Sequence, residues 1–282
     1  MKTNLYILLV AILVCQFSAC KTSNESDTEL PTTQDDKLSA RYAKLLAYPV
    51  DSLSFPRSYS FDNNSIKKVP PKDWTSGFFP GNFWLLHQLT GDDAYKEKAM
   101  AWTDYMENEK FNNRTHDMGF KIFCSYGNGY KETNRSDYKD IILKSAQTLS
   151  TRFNENVGCI RSWDFNRDIW ESPVIIDNMI NLELLFEATQ LSGDSTYHHL
   201  AVTHANTTLE NHFRDDGSSY HVVVYDTING NVLDKVTHQG IHDDSVWARG
   251  QAWGIYGYTM AFRYTKNPAY LARAESLSLI HI

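Results

Sequence analysis

Cysteine is scarce, with four in 282 residues, and the spacing of Cys15, Cys20, Cys124 and Cys159 forms no metal-ligand pattern. Positive charge is in deficit. There are 27 Lys and Arg against 34 Asp and Glu, a formal net charge of -7. That argues against a nucleic-acid partner, which requires a basic face. A small anionic substrate remains compatible, because a pocket can be locally basic on an acidic protein. No Pro/Ser-rich linker interrupts the chain after Leu38, so residues 38–282 read as one domain. Long apolar runs are missing except for Leu5 to Phe17, which is too short for a comfortable membrane span. That run follows Lys2 and ends in the small residues Ser18 and Ala19, the pattern of a targeting segment.

Phe17-Ser18-Ala19-Cys20 resembles a bacterial lipoprotein signal. The resemblance implies cleavage before Cys20 and lipid on its thiol, against the alternative of an ordinary secretory signal. Residues 1–20 are then signal and lipidated cysteine, and 21–37 a polar, acidic, disordered tether. The expected location is the bacterial cell envelope, lipid-anchored and facing the periplasm or lying on the outer-membrane surface. Cys124 and Cys159 remain in the domain, where an oxidising periplasm would let them pair.

What the domain does have is apolar and aromatic residues, 42% and 13% of the chain, with 7 Trp and 16 Tyr. That abundance suits a carbohydrate-stacking cleft, and core packing uses the same residues. A weak repeat is visible. Turns at Gly91-Asp92, Arg135-Ser136, Gly193-Asp194 and Asn267-Pro268 are each followed by a Tyr and then by helical periodicity. Richer apolar helices are expected between them, at Phe79 to Leu89, Asp117 to Phe123, Pro173 to Leu191 and Trp247 to Tyr264. The alternation predicts stacked helical hairpins, which close into an (α/α) barrel around a central cleft. One hairpin of strands is expected at Ser219 to Asp226, with a turn at Asn229-Gly230.

Within the third apolar helix, Ser172 is the expected N-cap and Pro173 the first helical residue. Asp177 then falls one turn inside an otherwise apolar helix, on the same face as Asn181. A buried carboxylate of this kind is either a paired structural group or a site. Four other stretches are unusual for plain core. Trp74 to Gly81 is dense in aromatics and turn residues, as a lip or as a plug over the core. His116-Asp117-Met118-Gly119-Phe120 sets two ionisable groups beside a glycine, as a site or a helix cap. His238-Gln239-Gly240 leads into Asp243-Asp244-Ser245, as a site or a polar loop. In Trp247 to Gly254, Arg249 and Trp253 share a helix face, as a surface cation–π pair or as an anion clamp beside a sugar platform.

HDMGF, VIIDNMINLELL and HQGIHDDSVWARGQAWGIYGY, in this order between Trp74 and Ala274, resemble glycoside hydrolase family 88, the unsaturated glucuronyl hydrolases. The resemblance implies an all-α (α/α)6 barrel. It also implies removal of a 4,5-unsaturated uronic acid from the non-reducing end of a lyase-generated oligosaccharide, without cofactor or metal. By position, Asp177 resembles the general acid/base and Asp117 its partner. His221, Gln239, Arg249 and Trp253 resemble residues around the uronate, and Trp74 the aromatic lip. The chain has room for about four of the six hairpins, so the expectation is a C-terminally truncated barrel, against that of a shorter family member. Three other functions remain open at this point. They are unsaturated rhamnogalacturonyl hydrolysis on pectin fragments, glycan binding without catalysis, and an inactive gene fragment.

Overall fold

A computed structural model describes residues 34–280. The signal, Cys20 and residues 21–33 of the tether lie outside the described residues. The chain divides into two units, residues 1–41 and 42–282. The described part of the first is helical, within α1 (Gln34–Leu46), so residues 34–37 of the expected tether begin a helix. Among the described residues no helix is long and apolar enough to cross a membrane.

The second unit is built of four helical hairpins. They are α2 (Phe78–Thr90) with α3 (Asp93–Asp104); α4 (Met118–Ile122), a π turn (Phe123–Gly127) and α5 (Asn128–Thr133) with α6 (Ser136–Ser150); α7 (Asn178–Ser192) with α8 (Ser195–Asn211); and α9 (Ala248–Thr265) with α10 (Pro268–Ile280). The arrangement is that of an (α/α) barrel. Each hairpin turns on one residue in the left-handed region: Gly91, Asn134, Gly193 and Lys266. Each of these donates its N–H to the carbonyl four residues back, at 2.8 Å, which closes the helix end. A Thr or Ser precedes each one, and its hydroxyl takes the N–H of the residue after it. The faint repeat in the sequence is thus one turn used four times.

Three short sheets interrupt the helices. β1 (Phe55–Ser60) pairs with β2 (Ser65–Val69), and β3 (Phe153–Asn154) with β4 (Cys159–Ile160). The third has the order β5–β6–β7, from Ser172–Ile175, Val222–Tyr225 and Val232–Val236, all antiparallel. β6 and β7 are the expected strand hairpin. β5 corrects the expected start of the third apolar helix. Ser172 is not an N-cap, and Pro173 sits in an edge strand opposite Val224. Proline is tolerated at an edge, since it has no N–H to give to the ladder. Val174, Val223 and Tyr225 bury one sheet face, while Ile175, Val222 and Val224 bury the other against Trp163.

Cys124 and Cys159, whose pairing the sequence leaves open, are both free. Cys124 lies on the π turn against Gly81 of α2. Cys159 is buried on β4 in the small core that holds Val174 and Tyr225.

Candidate active site

Three segments deliver the acidic pair. β5 feeds the chain into α7, so Asp177 stands at the position before the first helical residue and not one turn inside. The strand is held from several sides. Ser162 donates its N–H to the Pro173 carbonyl, and Ile175 donates to the Ser162 hydroxyl. Ile176 donates to the His221 carbonyl. Asp117 precedes α4, and its loop is tied by the His116 N–H to the Ser162 carbonyl at 2.9 Å. α4 and α7 touch closely. A Cβ on Gly119 would lie 2.5 Å from Cβ of Asn181, so the glycine of HDMGF permits the approach. Asn181 Oδ1 in turn accepts the Phe120 N–H at 2.9 Å.

Both aspartates open into a cleft of about 510 Å³, within the usual range for a small-molecule site. Their environments differ. Burial alone would raise Asp117, but His116 Nε2 lies 3.2 Å from Oδ1 and the Thr115 hydroxyl donates to Oδ2 at 2.8 Å. Its carboxyl is held below the usual range. Asp177 Oδ2 is buried with no hydrogen-bond partner among the described residues. Desolvation, opposed by His116 and reinforced by the Asp117 charge, pushes its carboxyl up to about 6.

The remaining expected residues divide. Trp74, Gln239, Arg249 and Trp253 all line the cleft. The Trp74 ring meets Phe78 and Phe120 edge to face, and the guanidinium of Arg57 lies 5.4 Å from its centroid. Arg249 hydrogen-bonds Gln239 Oε1 and lies over the rings of Trp247 and Trp74, at 4.4 and 5.9 Å. His221 does not line the cleft. It is 3% exposed, and its Nδ1 accepts the N–H groups of His238 and Gln239 at 2.9 and 3.1 Å. It therefore shapes the loop that presents Gln239.

The motif reading assigned no role to His116, Thr115 or Arg114, nor to Trp163, Asp164 and Phe165, which also line the cleft. Trp163 and Phe165 stack at 4.7 Å, and His238 stands 5.4 Å from each. For the last three the signal available was an aromatic-rich stretch with no helical period, Trp163-Asp164-Phe165 to Trp170.

The family model for Glycosyl Hydrolase Family 88 matches residues 55–276. The chain belongs to this family. It is 54% identical over 286 residues to an unsaturated glucuronyl hydrolase of Formosa agariphila, covering all of this chain and 72% of that protein. It is 35% identical to an unsaturated chondroitin disaccharide hydrolase of Streptococcus pneumoniae, covering 76% of this chain. Among solved structures, an unsaturated glucuronyl hydrolase specific for heparin superposes with a TM-score of 0.83 at 42% identity, covering 86% of this chain. The chain spans 65% of the length of that structure and 54% of the streptococcal protein. HDMGF and VIIDNMINLELL, the segments that carry the two aspartates, meet at Gly119 and Asn181 in this fold.

Proposed function

We propose that the protein releases 4,5-unsaturated glucuronic acid from the non-reducing end of lyase-generated, glycosaminoglycan-type oligosaccharides. It does so by hydrating the C4=C5 double bond. The observation that supports this most is the division of labour in the acidic pair. One cleft holds an ionised Asp117 and an Asp177 poised near neutral pH. Asp177 gives its proton to C4, and positive charge develops on C5 and the ring oxygen. Asp117 stabilises that charge. Water adds at C5 and returns a proton to the Asp177 carboxylate, so one group serves as acid and then as base. The C5 hemiketal opens to a ketone, leaving C1 as a hemiacetal that expels the neighbouring sugar. Arg249, steadied by Gln239 and two tryptophans, takes the uronate carboxylate, and Trp74 or Trp253 stacks on a ring. Hydration consumes the enol ether, so its ultraviolet absorbance reports turnover. Asp177→Asn is expected to lower the rate at least 100-fold with folding intact, within the 10²–10⁴-fold range of general acid–base catalysis. A loss below about tenfold removes Asp177 from this role, and product lacking solvent deuterium at C4 refutes protonation at that carbon.

The same reading places the protein in the cell envelope on a lipid anchor at Cys20. Support comes from Lys2, the apolar run to Phe17 and the small residues before Cys20. Mass spectrometry of membrane-derived protein should find a mature chain that begins at a modified Cys20. A soluble chain cut elsewhere refutes the anchor.

A further inference from the structure

The cleft wall carries a second guanidinium that the chemistry above does not use. Arg114 lines the cleft three residues before Asp117. Its backbone is firmly placed. The Arg114 N–H donates to Asn112 Oδ1, and Asn112 Nδ2 donates to Glu109. The preceding carbonyl, Asn113, accepts from the buried Arg152 at 2.5 Å. The side chain, in contrast, has no carboxylate partner among the described residues.

Two of the cleft's three carboxylates, Asp164 and Asp117, already have partners. Asp164, also at the cleft wall, takes two N–H bonds from Arg152 at 3.1 and 3.2 Å and two from Arg161 at 2.8 and 3.1 Å. Asp117 is held by His116 and Thr115. Arg249 is engaged by Gln239, Trp247 and Trp74. The cleft therefore offers two cationic forks, Arg249 held among tryptophans and Arg114, exposed at the wall and with no carboxylate partner among the described residues. A guanidinium fork matches planar and tetrahedral oxyanions in a way that an ammonium does not.

We propose that Arg114 is a specificity-determining residue that binds an oxyanion on the leaving side of the scissile bond. That oxyanion is a sulfate ester on the neighbouring sugar or the carboxylate of the next uronate. This rests on the reading of the cleft as an unsaturated-uronate site. Three unsaturated substrates separate the sources: an unsulfated disaccharide, the same disaccharide sulfated on its leaving sugar, and an unsulfated tetrasaccharide.

The readout is the ratio of kcat/KM for each anionic substrate to that for the unsulfated disaccharide, in the wild type, Arg114→Ala and Arg114→Lys. In Arg114→Ala the ratio is expected to fall roughly tenfold or more, the effect of losing a hydrogen bond to a charged group. Arg114→Lys should recover part of it, and added salt should shrink the wild-type ratio. A fall for the sulfated disaccharide assigns the site to sulfate, and a fall for the tetrasaccharide alone assigns it to the uronate. If the wild type turns over the unsulfated disaccharide and neither ratio changes in Arg114→Ala, the inference is overturned while the proposed function stands. If the wild type turns over none of the three, the proposed function falls and this inference with it.

Discussion

Asp117 and Asp177 are chemically the same side chain, and neighbouring atoms shift their acidity in opposite directions. His116 does most to hold Asp117 ionised, and Thr115 adds to it, since it both donates to the carboxylate and accepts the Asp117 N–H at 3.1 Å. A donor to the charged form favours that form. The proposed mechanism requires Asp177 protonated and Asp117 ionised. The rate should therefore fall as pH rises through about 6, where Asp177 loses its proton, and fall at low pH as Asp117 gains one. Thr115→Val keeps the shape and removes the hydroxyl, so the low-pH limb should move to higher pH and narrow the bell, while Thr115→Ser restores it. A pH profile of kcat/KM measures this, and an unmoved low-pH limb in Thr115→Val would show that the hydroxyl does not set the charge of Asp117.

The elements explain which parts of this site the sequence disclosed. Hairpin order, helix positions and the strand pair at residues 222–236 were legible, because each depends on periodicity or turn chemistry within about twenty residues. Asp117, Asp177, Gln239, Arg249, Trp253 and Trp74 were legible through ordered motifs, and the structure places all six on one cleft. The start of α7 was not. Ser172-Pro173 fits a helix start, yet Val174 and Ile175 pair with Val223 and Val222 nearly fifty residues away. A short β-branched run satisfies either pattern, and the distant partner decides. His221 was misplaced for a related reason. Its tasks come from the backbones of residues 238 and 239, which only the folded loop brings to it. Arg114 lies in an irregular segment whose position depends on Arg152, and no local pattern marks it, while Trp163 is marked only by the aromatic density of its own irregular stretch.

At the scale of the whole molecule, buried histidines tie the helices to the sheet. His204 of α8 accepts the Ile160 N–H on Nδ1 at 3.0 Å. His212 at the end of α8 donates from Nε2 to the Val174 carbonyl, and His221 receives the loop at 238–239. Burial lowers all three, His212 to about 4, His221 to about 3 and His204 well below its ordinary value. Each is neutral in the fold and, with an ordinary value near 6.5, takes a proton when unfolded in mild acid. Their contribution is therefore whole above about pH 6.5 and is lost as pH falls toward 4, at about 1.4 kcal/mol per pH unit for each. Asp177 acts in the opposite sense. Its raised value means that the fold holds a proton that the unfolded chain releases between 3.8 and about 6, so acid offsets one histidine's loss. The melting temperature should thus drop between pH 6.5 and pH 4.5, and His212→Gln, which can still donate to Val174, should flatten that drop. Asp177→Asn should steepen it by removing the opposing proton. Calorimetry across this range provides the check, and a melting temperature that holds steady or rises toward pH 4.5 would mean that the histidines are not held neutral by the fold.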